Sequence, residues 1–74
     1  HVHRAMLIEP VPVPDVYVSG LSHIEDADGN MRFTFFATRV AVVGDGLEYT
    51  IEARLVLSRQ VVWQAVKETL RFSA

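Results

Sequence analysis

The amino-acid sequence predicts an α+β fold: a three-stranded antiparallel meander at about 16–25, 31–43 and 47–57, followed by one C-terminal helix at about 59–71. Three observations carry that expectation. Residues 47–57 alternate apolar and polar side chains at the period of two that a strand imposes. Two clusters of turn-forming residues, Asp26-Ala27-Asp28-Gly29-Asn30 and Gly44-Asp45-Gly46, cut the preceding chain into strand-length pieces. From residue 59 the apolar residues recur at helical spacing, directly behind a serine.

The chain before the first strand is set by proline. Leu7-Ile8-Glu9-Pro10-Val11-Pro12-Val13-Pro14 carries a proline at every second position of its latter half. Proline locks φ and removes an amide donor, and it pushes the residue before it towards extended geometry. Residues 1–15 therefore read as an extended, polyproline-like arm in front of a single domain at 16–74. Val11 and Val13 are apolar, which suits an arm lying on its own sheet or on a neighbouring subunit. Met6 is a candidate natural start, with His1–Ala5 then an expression remnant or an upstream extension.

The first strand, Val16-Tyr17-Val18-Ser19-Gly20-Leu21-Ser22-His23-Ile24-Glu25, holds a glycine that signals a bulge or a close backbone approach. The second is rich in β-branched and aromatic residues. Met31, Phe33 and Phe35 share one face, and Phe36, Val40 and Val42 the other, with Arg39 falling on the first face. Either a bulge near 36–39 switches the faces or both faces carry apolar surface. In the third strand Leu47, Tyr49, Ile51, Ala53, Leu55 and Leu57 form one set, and Glu48, Thr50, Glu52 and Arg54 the other. Ser58 stands at the N-cap position. Gln60, Gln64, Lys67, Glu68 and Arg71 gather on one helix face, leaving an apolar arc about 200° wide, twice the stripe that docking on one surface needs. No capping box is present, because Val61 occupies its acidic position.

Bulk composition narrows the function classes. A chain of 74 residues makes one small domain, and domains of this size often rely on disulfides, a metal or a partner subunit. There is no cysteine, so disulfides and thiolate metal sites are excluded, which fits a reducing compartment. Half of the residues are hydrophobic. Association with a partner is the remaining aid. The net charge of −2, with both signs interspersed, argues against a broad nucleic-acid surface. No segment is apolar enough to span a bilayer, and the N-terminal stretch is not a signal peptide. A cytoplasmic location, or a place inside an assembled particle, is the expectation.

Candidate chemistry is sparse. Asp26, Asp28 and Asn30 have the spacing of the first ligands of a calcium loop, but Met31 and Ala37 occupy its glycine and glutamate positions, so a hairpin turn is expected. Gly44–Gly46 is too short for a phosphate loop. The amides at Ser58, with Arg59 beside them, are a generic anion site. Ser22 and His23 adjoin in sequence, but strand neighbours point to opposite faces, which separates a nucleophile from its base. His1 and His3 are an adventitious metal pair at most. Glu48, Glu52 and Arg54 read as a charge-compensated outer face rather than a paired-carboxylate site. No enzyme, cofactor or metal is expected.

Ala53-Arg54-Leu55-Val56-Leu57-Ser58 running into an amphipathic helix that ends near Leu70, with Val16-Tyr17 opening the first strand, resembles a family of small uncharacterised bacterial proteins. There a strand of this type leads through Leu-Ser/Thr-Pro into a helix. Here Arg59 and Gln60 replace the proline and the polar residue that follow. The resemblance implies no activity and no site residues.

The expected function is a non-enzymatic structural or protein-interaction module acting as a homo-oligomer or as a subunit of a larger assembly, such as a phage-type or accessory component. Its candidate interface is Val11, Val13, Phe36, Val40, Val42, Val61, Val62, Trp63 and Val66. Two alternatives stand beside it. One is a dimeric regulator contacting nucleic acid through Arg32, Arg39, Arg54 and Arg59. The other is a small-molecule binder at a subunit interface, lined by Phe33, Phe35, Tyr49 and Trp63. Trp63 itself reads either as core or as an interface anchor.

Overall fold

A computed structural model of the chain describes residues 5–73; His1 and His3 lie outside the described residues. The order of elements is β1 (Gly20–Ala27), β2 (Asn30–Val40), β3 (Leu47–Leu57) and α1 (Arg59–Ser73). The strands form one open antiparallel sheet in the order β1-β2-β3. This is the α+β meander with a C-terminal helix that the sequence predicts. Two boundaries move by three residues or more. Val16, Tyr17 and Val18 precede β1 rather than opening it, and Ala41, Val42 and Val43 belong to the second loop rather than to β2.

The turns explain where the strands stop. Ala27 pairs with Asn30 across a two-residue turn, with Asp28 at φ 53° and Gly29 at φ 84°. Two consecutive positive φ values are the signature of a type I′ hairpin, whose twist matches that of its strands. The second loop is longer. The Ala41 N–H donates to the Gly46 carbonyl at 2.9 Å, with Gly44 at φ 89°. Ser58 caps α1 as expected, its Oγ accepting from the Val61 N–H at 3.2 Å.

Two bulges decide which side chains share a face. In β1 the pairing passes from Leu21↔Phe35 to His23↔Thr34, leaving Ser22 as the extra residue. In β3 it passes from Ala53↔Phe35 to Ile51↔Phe36, leaving Glu52 as the extra residue. Directly paired residues of an antiparallel ladder point the same way. β2 itself keeps strict alternation, so the shift expected near 36–39 lies in its partner strand instead. The single apolar set read along β3 is therefore divided. Ala53, Leu55 and Leu57 lie on the face shared with Phe33 and Phe35, called here the helix face. Leu47, Tyr49 and Ile51 lie on the opposite, open face with Phe36 and Val40. The polar set divides too: Arg54 joins the open face, while Glu48 and Thr50 join the helix face. Both faces thus carry apolar surface, on opposite halves of the sheet.

Little of this surface is covered. Among the described residues Thr34, at 0 %, and Ala37, at 8 %, are the buried ones. The helix buries none of its residues. It stands off the sheet instead of closing over it. The arm forms no helix or strand. It bends at Pro10–Val11, where Glu9 Oε2 accepts from the Val13 N–H at 3.0 Å.

Candidate functional site

The gap between α1 and the helix face is an apolar wedge of about 350 Å³. Phe33, Phe35 and Leu57 form its sheet wall, and Val62, Ala65, Val66, Thr69 and Leu70 its helix wall. Strand alternation puts Phe33 and Phe35 side by side, with ring centroids 6.3 Å apart. Helical spacing lines up 62, 65/66 and 69/70 on one stripe. Thr69 is the sole polar residue of the lining, and its hydroxyl already donates to the Ala65 carbonyl at 2.7 Å. A small polar ligand would find nothing there to orient it, since such sites combine apolar walls with placed polar groups.

The wedge continues along the sheet. A second hollow, lined by Val16, Val18, Phe35, Ala53 and Leu55, shares Phe35 with it. Beyond that, Asp15, Val16 and Tyr17 lie over Ala37, Arg39 and Glu52, where the helix face turns polar. Ser19 anchors this crossing: its N–H donates to the Phe36 carbonyl at 2.7 Å, and its Oγ accepts from the Thr38 N–H at 3.0 Å. Arg39 closes on Glu52 at 2.6 Å. The hydrogen bond to Glu52, and then its charge, raise the guanidinium pKa further above its ordinary value.

On the open face Phe36 packs edge-on against Tyr49, centroids 5.0 Å apart. Its ring also covers Gly20, where an added Cβ would sit 2.7 Å from Phe36 Cζ. That is the close approach anticipated for this glycine, made by a side chain, while the bulge falls two residues later.

The sequence-predicted interface residues fall into three separate places. Val11 and Val13 are on the arm; Phe36, Val40 and Val42 are at the far end of the β2–β3 hairpin. Val61, Val62, Trp63 and Val66 are on α1. Val62 and Val66 line the wedge. Trp63 is 65 % exposed and shares a hollow with Gln60, Gln64 and Lys67, so it is not a core residue of this chain. The larger wall, Phe33, Phe35, Leu55 and Leu57, was absent from that set because alternation assigns such residues to a covered face. The wedge is missed when the helix is assumed to close on it.

Other candidates are rearranged. Phe33 and Phe35 line the wedge, but Tyr49 is on the opposite face and Trp63 elsewhere on α1, so the four do not form one pocket. The four arginines are likewise dispersed. Arg32 on the open face pairs with Glu25 at 3.1 Å, Arg39 on the helix face pairs with Glu52, Arg54 is on the open face and Arg59 opens α1. The Ser22 bulge overturns the separation of Ser22 from His23: Ser22 Oγ lies 3.1 Å from His23 Nδ1. His23 Nε2 is 3.8 Å from Glu25 Oε1, with both side chains well exposed. Glu25 is already engaged by Arg32, and the Ser22–His23 pair lies exposed on the strand without a cleft to shelter it from water. No group of three or more metal-ligating side chains occurs among the described residues, and none of their helices is long and apolar enough to cross a membrane. No family model, curated protein or solved structure matches the chain.

Proposed function

We propose that the protein is a non-enzymatic structural or interaction module that works as a homo-oligomer or as a subunit of a larger assembly, in the cytoplasm or inside an assembled particle. One observation supports this above the others. The chain exposes 6980 Å², whereas a compact monomer of its mass exposes about 4,600 Å². The surplus of about 2,400 Å² per chain is of the order of the roughly 1,000–2,500 Å² that each partner of a permanent interface covers. At the wedge it is lined almost wholly by apolar side chains. The absence of a polar orienting group there favours a protein partner over a small ligand.

Sedimentation velocity with light scattering at micromolar concentration tests the reading. An oligomeric mass, or retention in a complex of defined stoichiometry, is expected. A well-folded monomer with no partner at high micromolar concentration sinks it.

A further inference from the structure

We infer that the wedge between α1 and the Phe33–Phe35 wall is closed by a second copy of the same chain, seated on it by two-fold symmetry. The inference rests on the proposed oligomeric module and specifies its partner and its surface.

A two-fold interface must be self-complementary, so one patch has to offer both a hollow and a ridge to fill it. This patch offers both. The hollow is the wedge, with its continuation past Phe35 towards Val16 and Leu55. The ridge is the rim of α1. Leu70 lines the wedge yet is 63 % exposed, which puts it at the lip. Trp63 lies about 20° further round the helix, and it too projects outward. Side chains of this size fit the hollow: about 350 Å³ admits two or three large apolar side chains but not a whole helix, whose diameter is about 10 Å.

Charge and area point to the same occupant. No charged side chain lines the wedge or its continuation, so an apolar ridge suits it, and Leu70 and the Trp63 ring of another copy offer one, with Lys67 beside Trp63 at its edge. The chain exposes about 2,400 Å² more than a compact monomer of its mass, arm and hairpin end included, and a second copy on the wedge and the α1 rim would cover part of that surplus. The other apolar area, around Phe36 and Tyr49, is more exposed, with Tyr49 at 68 % and Val40 at 76 %, but it lies on the open face, where no helix stands opposite to leave a hollow. The helix also needs the contact more: fifteen residues are marginal as an isolated helix without a packed face.

The chain has no cysteine, so a single introduced thiol reports on one place. Ala65→Cys puts it on the wedge wall, and Val40→Cys on the open face of the far half. Thr69→Cys replaces Ala65→Cys if that variant does not fold. Thiol-labelling rates are read against sedimentation mass from submicromolar to several hundred micromolar chain. A dimeric mass is expected, with the wedge thiol slowed about tenfold or more as dimer forms and the Val40→Cys thiol unchanged. A dimer whose wedge thiol stays reactive overturns the inference and leaves the oligomeric reading standing, as does a higher oligomer. A monomer with both thiols reactive throughout defeats both. A monomer whose wedge thiol is protected at every dilution shows that the chain's own arm fills the wedge, and also overturns the inference.

Discussion

Thr34 is the side chain that the fold shuts away from water completely, and its Oγ1 has no hydrogen-bond partner. It points to the open face between its cross-strand neighbours His23 and Arg54. A buried hydroxyl without a partner carries its desolvation cost unrelieved, about 1–3 kcal/mol. Thr34→Val keeps the branched shape and removes the hydroxyl, so it should stabilise the chain by about 1 kcal/mol. Urea denaturation checks this: the midpoint should rise with the slope unchanged. A lower midpoint would mean that the hydroxyl is satisfied in the folded protein. The ion pairs call for the opposite expectation. Arg32–Glu25 and Arg71–Glu68 are exposed at both ends, and such pairs contribute about 0–1 kcal/mol and weaken with salt.

The β3 bulge has the largest consequence of any local feature among the secondary elements. Because Phe35 and Phe36 pair with Ala53 and Ile51, Glu52 is surplus to the ladder. Deleting Glu52 should therefore leave every other β3 side chain on its present face. The Phe36–Tyr49 ring contact should persist as a nuclear Overhauser effect, and the thermal midpoint should change little, since the Arg39 pair that is lost is exposed to solvent. Deleting Thr50 instead forces either Tyr49 or Ile51 across the sheet, and that contact network should be lost. At the next junction Ser58→Ala removes the N-cap and should cost about 1 kcal/mol, read as a lower thermal midpoint in far-UV circular dichroism. These features also mark how far the sequence was legible. Ser58, Asp28-Gly29 and the 47–57 alternation announce the helix start, the hairpin turn and the third strand, because each acts through local backbone geometry. The bulges at Ser22 and Glu52 do not announce themselves. Both arise from pairing with β2, and a single extra residue that keeps alternation in sequence can still reverse it in space. The wedge was half visible, through the wide apolar arc around Val61, Val62 and Val66. Its sheet wall was hidden, since nothing in the spacing of Phe33 and Phe35 says whether a helix reaches them.

At the scale of the whole chain, shape and stability are one question. The radius of gyration is 16.7 Å and the longest extent 62 Å, against about 11 Å for a compact chain of this length. The exposed area of 6980 Å² means that folding one copy removes about 42 % of the unfolded surface from water, below the roughly 60 % of even marginal small domains. A single copy therefore has less surface burial than comparable small domains, and the proposed association would supply the difference. If it does, stability depends on chain concentration by mass action. Each tenfold increase should add about 1.4 kcal/mol per dimer, which for a dimer of this size raises the thermal midpoint by about 3–6 °C. Trp63, the one tryptophan, should shift its emission to shorter wavelength over the same concentration range as the exposed ring enters the interface. Salt separates this from a charge-driven assembly. With no charged residue lining the wedge, raising ionic strength from about 50 to 500 mM shortens the screening length severalfold yet should leave the midpoint at fixed concentration unchanged or slightly higher. A midpoint independent of concentration would show that one copy finds its missing burial within itself. A midpoint that falls steeply with salt would place the association on charged surface instead of the wedge.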